Sequence, residues 1–272
     1  MFITVYPLLY VLFASVSNPK ALLSHSGFLF APLRPYTAMG YTMTFRNPNM
    51  INGFRNTLFY LGVGTSINLL LTSMGAFVLS RGHFAIRRAC SLLILITMFF
   101  SGGMIPTFFV VRYLGLYDSR WAVVLPSAIS VYNMIIMRTF FMSIPASLEE
   151  SAMLDGANDW HVFTRILLPL SMPVVAVMVL YYGVSHWNSW FSAMIYLRDR
   201  LKYPLQLFLR EILLQDSIES VAQNSQDMID ESLYKELTQY CAIIVTTLPI
   251  LAVYPFLQRY FVQGVMIGAV KG

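Results

Sequence analysis

An all-α bundle of membrane-spanning helices is the fold this sequence predicts, and three observations carry it. Hydrophobic residues make up 57% of the 272-residue chain and charged residues 11%, against roughly 25% charged in soluble domains. Mean hydropathy is +0.63. The apolar residues also fall into separate long runs, with most of the charge gathered between them. A single bundle is expected rather than several soluble domains.

Six spans are expected, at residues 1–16, 56–80, 89–111, 121–141, 170–191 and 240–262. The yardstick is the ~20 helical residues that cross a ~30 Å hydrocarbon core. The first run is short, and the natural protein is expected to supply a further turn and a basic anchor before Met1. A secretory signal peptide would begin with a charged segment, which this run lacks. The second carries Gly62, Gly64, Thr65, Ser66, Asn68, Thr72, Ser73 and Gly75. Small and hydroxylated residues let helices approach closely in lipid. The third holds Ser101-Gly102-Gly103 and Pro106, a place for a kink or a short unwound segment. Pro126, Pro173, Pro249 and Pro255 interrupt the later spans, as membrane helices tolerate when neighbours satisfy the freed backbone. Cys90 and Cys241 stand at the edges of apolar runs and are expected as reduced thiols in a helical core.

Between the fourth and fifth runs, residues 143–169 read as a charged helix pair. Pro145 cannot sit inside a helix, so it marks the start. Ser147 and Glu150 have the spacing of a capping box, in which each side chain bonds the other residue's amide. Asp155-Gly156 offers a turn, because glycine tolerates positive φ. Asn158 can cap a second helix that runs to Pro169. A polar helix pair between spans lies on the membrane surface, where a soluble partner can grip it.

Glu150-Ser151-Ala152, Gly156, Ile166 and Leu168-Pro169 resemble the EAA loop of importer-type ABC permeases, departing from it only at Ser151. Asn56-Thr57, Trp187-Asn188 and the glycine-rich end from Gly264 to Gly272 are similar to the carbohydrate-uptake branch, including its complex-oligosaccharide and alginate importers. The resemblance implies a six-helix permease with a cytoplasmic coupling helix, both termini in the cytoplasm of a bacterial cell, working by alternating access. Its implied partners are a second, non-identical permease, two ATPase subunits, an extracytoplasmic binding protein and membrane lipid, with no nucleic acid. ATP and Mg would sit on the ATPase subunits. Coupling contacts are implied at Glu150, Ser151, Ala152, Leu154, Asp155, Gly156 and Ala157, and a tail contact at Gly264 and Gly268. For Glu150, capping and ATPase contact both stand. Arg81, Arg87 and Arg88 form the densest basic cluster, in a short turn that weighs toward the cytoplasmic side, although the raw count of basic residues runs the other way.

No enzymatic constellation is visible. Lys20, Lys202, Lys235 and Lys271 all lie outside any phosphate-cradling Gly-rich motif. The 4 histidines have no metal-ligand spacing. For a sugar path, the candidates are Asn133, Tyr182, His186, Trp187, Asn188 and Trp190, with Asn68, Tyr132 and Tyr181 nearby. Aromatic faces stack on sugar C–H faces, while amides and imidazoles bond hydroxyls. Interface anchoring of Trp and Tyr, and helix capping by Asn188, are the structural alternatives. The outer loop 192–239 is expected to hold helices near Pro204–Leu214 and Asp216–Glu236 and to receive the binding protein or serve as a solvated connector. Its basic group, Arg198, Arg200, Lys202 and Arg210, permits an acidic oligosaccharide cargo such as alginate. A secondary transporter or channel without an ATPase is the rival reading; it would need intramembrane carboxylates, and the acidic residues lie outside the expected spans.

Overall fold

The computed structural model describes residues 2–81, 86–219, 234–253 and 255, and among these the regular structure is entirely helical. The helices are α1 (Phe2–Val16), α2 (Pro19–Ser24), α3 (Met39–Arg46), α4 (Pro48–Ser80), α5 (Arg87–Phe99), α6 (Met104–Tyr113) and α7 (Trp121–Ser127). They continue as α8 (Val131–Ser143), α9 (Ala146–Leu154), α10 (Asp159–Leu170), α11 (Met172–Trp187), α12 (Phe191–Tyr196), α13 (Leu205–Glu219) and α14 (Tyr234–Val253).

Among the described residues, α4 and α14 are the single helices long and apolar enough to cross a membrane, counting three bent pairs as one span each gives up to 5, and α1 is a shorter apolar helix. The breaks fall where the sequence marks glycine or proline, and each has a local cause. The third run bends by 116° between α5 and α6, where Gly103 takes φ +82, a value that favours glycine. The fourth bends by 51° between α7 and α8, just after Pro126 removes a backbone donor in a tight final turn. A bend of 82° separates α10 from α11, at the boundary expected between the charged helix pair and the fifth run. Pro169 and Pro173 flank that break, and α11 starts at Met172 rather than 170. The second run is longer than expected: α4 begins at Pro48 and contains a wide i→i+5 turn at Tyr60–Gly64. The last run starts earlier, at Tyr234. In the outer loop, α13 matches the first expected helix, whereas most of the second lies outside the described residues.

The chain divides into two compact units. The first holds α1–α3, the start of α4, most of α12, α13 and α14 to Ala252. Ala14, Leu22 and Leu29 form its small core, with Tyr10, Phe13 and Tyr240 packed on them. Gly40 allows α3 against Cys241 and Leu237, since an added Cβ would lie 2.7 Å from the Cys241 sulfur. Both cysteines are free thiols, as expected. The second unit holds the rest of α4 and α5–α11. Its core interleaves Ala76 and Leu79 of α4, Met134, Met137 and Phe141 of α8, and Met178 of α11.

Candidate functional site

Two constructions in the second unit and one in the first use the residues that the sequence singles out. The first construction is the charged segment. Ile144 is extended ahead of Pro145, and α9 starts immediately after that proline, at Ala146. Ser147 is thus already inside the helix, and its carbonyl accepts the Ser151 hydroxyl at 2.8 Å. No side chain caps α9, so the expected Ser147–Glu150 capping box does not form. The cause is proline itself, whose fixed φ seeds the helix two residues too early for Ser147 to cap it. Glu150 is exposed; its neighbour Glu149 is the buried one, with Oε2 2.9 Å from Arg81 Nη1. The sequence reading passed over this pair, because nothing local marks which of two adjacent glutamates faces inward.

The C-terminus of α9 behaves as expected. Gly156 takes φ +87, the Gly156 amide bonds Met153 O at 3.0 Å, and the Ala157 amide bonds Ala152 O at 2.9 Å. This pair of bonds is the Schellman arrangement, which closes the last turn. Asn158 Oδ1 then accepts the His161 amide at 2.9 Å and caps α10, as expected. Glu150, Ser151, Leu154, Asp155 and Gly156 are exposed, while Ala152 and Ala157 are half-buried. Leu154 is 89% exposed and Trp160 58%, so two large apolar groups stand out from the break. A cavity of about 420 Å³ lies beside α9, lined by Arg81, Met142, Pro145, Glu149, Glu150 and Met153 among others.

The second construction joins α4, α11 and the break between α7 and α8. Asn68 Nδ2 donates to Ser127 O and Ala128 O, both at 2.8 Å. Its amide hydrogens are thereby committed, so Oδ1 is the acceptor and His186 Nε2 donates to it at 2.6 Å. Tyr182 OH pairs with Thr72 Oγ1 at 2.7 Å and accepts the Ser130 amide at 3.1 Å. The network supplies partners to backbone groups freed by the break, which a low-dielectric bundle must satisfy internally. Gly64 packs on His186, where an added Cβ would lie 2.5 Å from Nε2. Of the candidate path residues, Asn133, Tyr182, His186 and Trp187 are buried, and the network draws in Tyr182 and His186. Asn188 is exposed and ends α11, its Nδ2 donating to Val184 O at 3.0 Å.

The third construction clamps the outer loop in the first unit. Asn56 Nδ2 donates to Leu201 O at 2.7 Å and Tyr203 O at 3.0 Å, Asn52 Nδ2 to Leu201 O at 2.9 Å, and Thr57 Oγ1 accepts the Leu205 amide at 2.9 Å. Asn52 and Asn56 share one helix face through their i,i+4 spacing, a signal the sequence carried. The basic group beside them is largely engaged. Arg200 pairs with Glu211, Lys202 lies 3.5 Å from Asp199, and Arg210 sits 4.7 Å over the half-buried Trp190 ring. Gly264 and Gly268 lie outside the described residues.

Residues 57–267 match the family described as the binding-protein-dependent transport system inner membrane component. The chain is 40% identical over 270 residues to Protein LplC of Bacillus subtilis, covering 99% of this chain and 90% of that protein. It is also 40% identical over 271 residues to the polygalacturonan/rhamnogalacturonan transport system permease protein YtcP of the same organism, covering 99% and 93%. Among solved structures, a chain from a bacterial ABC transporter involved in the import of the acidic polysaccharide alginate superposes with a TM-score of 0.86 at 31% identity, covering 96% of this chain and 91% of that one.

Proposed function

The chain belongs to the binding-protein-dependent transport system inner membrane components, as a permease subunit of an ABC sugar importer, and from that premise we propose that its cargo is an acidic, uronate-type oligosaccharide. One observation carries this reading. One 40% identical relative is a polygalacturonan/rhamnogalacturonan transport system permease protein and the 31% identical structure belongs to an alginate importer, and each match covers nearly the whole chain. Both polymers carry a carboxylate on their sugar rings.

In this reading the chain spans the membrane six times, with α9 and α10 on the cytoplasmic face beside both termini. ATP and Mg belong to the ATPase subunits, and this chain contributes no nucleotide site. The ATPase receives Leu154 and Trp160, together with the backbone around Gly156 and the side chains of Glu150, Ser151 and Asp155. The buried Tyr182 and His186 hold the wall of the path. Asn188, exposed at the end of α11, is the residue we assign to sugar contact. The outer loop meets the binding protein. A similar, non-identical permease completes the pore.

Uptake by proteoliposomes containing the full complex tests the cargo. Labelled oligogalacturonides should enter on ATP addition, and neutral arabino-oligosaccharides of equal length should not. Entry of the neutral sugar alone would overturn the acidic-cargo reading.

A further inference from the structure

The Arg81–Glu149 pair lies where two pieces of machinery meet. Arg81 directly follows Ser80, the last residue of α4, and Glu149 is in the first turn of α9. Their side chains are 13% and 9% exposed, so this is an enclosed ion pair rather than a solvated one. Arg81 Nε and Nη2 are buried without a hydrogen-bond acceptor among the described residues, which leaves Glu149 as the acceptor described for that cation. The guanidinium also lies 5.9 Å from the Phe77 ring centroid.

The second arm of the charged segment meets the same helix end. Phe77 packs on Phe163 of α10 with ring centroids 5.2 Å apart, and Trp160 packs on Phe163 in turn. From α8, Arg138 Nε donates to Leu79 O at 3.0 Å and occupies a terminal carbonyl of α4. Thus α9 grips the end of α4 by charge and α10 grips it by ring packing. Further along α4 stand Thr72 and Asn68, in the network that holds the α7–α8 break and α11, and the wide turn at Tyr60–Gly64, whose Gly64 packs on His186.

We propose that Arg81 and Glu149 are the positioning pair that transmits displacement of the ATPase-docking segment to α4. The inference rests on the coupling role proposed for α9 and α10. Aromatic packing alone lets α10 slide or tilt against α4. A hydrogen-bonded ion pair with a single described acceptor keeps the two backbones in register, because separating it strands a charge out of water. A structural role alone would require the pair for folding; a transmitting role requires it for ATP-driven motion in a complex that still assembles.

The test uses the complete complex in lipid nanodiscs, with Cys90 and Cys241 replaced by serine and a spin label on Leu70→Cys. Leu70 lies on α4 and is 57% exposed. ATP with vanadate is the probe, so the outcome does not depend on the cargo. In the parent, vanadate trapping should change the label spectrum. Glu149→Gln is nearly isosteric; its complex should retain the ATPase subunits while the spectral change falls at least fivefold. The reversed pair, Arg81→Glu with Glu149→Arg, should restore at least half of the change. A parent-sized change in Glu149→Gln, or a silent reversed pair in a monodisperse, ATPase-bound complex, would overturn the proposal. Failure of the parent itself to retain the ATPase subunits would overturn the coupling role of α9 and α10, and the transmitting pair with it.

Discussion

Replacing Gly156 separates two reasons for a glycine at the tip of the coupling segment. The residue holds φ +87, and a Cβ built there would meet nothing within 4 Å. Within this chain, then, the cost of a side chain is conformational rather than steric. For an L-residue the left-handed region costs about 1–2 kcal/mol. An alanine also narrows the unfolded ensemble, which offsets about 0.4–1 kcal/mol. Gly156→Ala should therefore lose about 1 kcal/mol of the Schellman closure, roughly a fivefold drop in the ratio of closed to open segment. Gly156→Asn should stay near the parent, since asparagine visits this region readily, and a β-branched Gly156→Val should fare worst. Titrating purified ATPase onto the permease complex in detergent reads these as apparent affinities. If Gly156→Asn weakens docking as much as Gly156→Trp, the backbone account fails, and the partner's need for a bare surface is the governing term.

Other variants probe the remaining constructions. Leu154→Glu should leave the thermal midpoint of the permease unchanged yet abolish ATPase co-purification, because the side chain is 89% exposed; retained co-purification would remove Leu154 from the docking surface. Asn56→Ala removes the Asn56 donor to Tyr203 O and one of the two amide donors to Leu201 O and should cost about 1–3 kcal/mol. Asn52→Ala should be milder, since Leu201 keeps its bond from Asn56, and equal losses in thermal unfolding would refute this ordering. Gly64→Ala places a Cβ 2.5 Å from His186 Nε2 and should cost about 1–3 kcal/mol by overpacking. Adding His186→Ala should relieve part of that loss in a double-mutant cycle, and strict additivity would refute the contact.

Much of the coupling segment was legible because its determinants are local. A proline that cannot continue a helix, a glycine at a left-handed position and an asparagine that caps the next turn each act within a few residues. The same holds for Gly103 in the third run. The local reading failed at Ser147 and Glu150, where two compatible signals competed. Pro145 started the helix first, and the capping box lost its geometry. The places of the bends were legible from glycine and proline, but their angles were not. Hydropathy measures how apolar a run is and says nothing about the angle at which its halves meet.

By itself the sequence determined the all-helical membrane class, the place and helix-turn-helix character of the charged segment proposed to couple to the ATPase, and, through its motif, the family. Those properties depend on composition, on backbone preferences and on spacing along the chain. Tertiary structure alone decided which polar groups face each other. Asn68 reaches the carbonyls of Ser127 and Ala128, Asn56 holds a loop whose nearest bonded residue is 145 positions away, and Glu149 rather than Glu150 meets Arg81. Such pairings follow from how helices rotate and cross, and in a bundle that rotation is set by packing among distant segments rather than by any one of them.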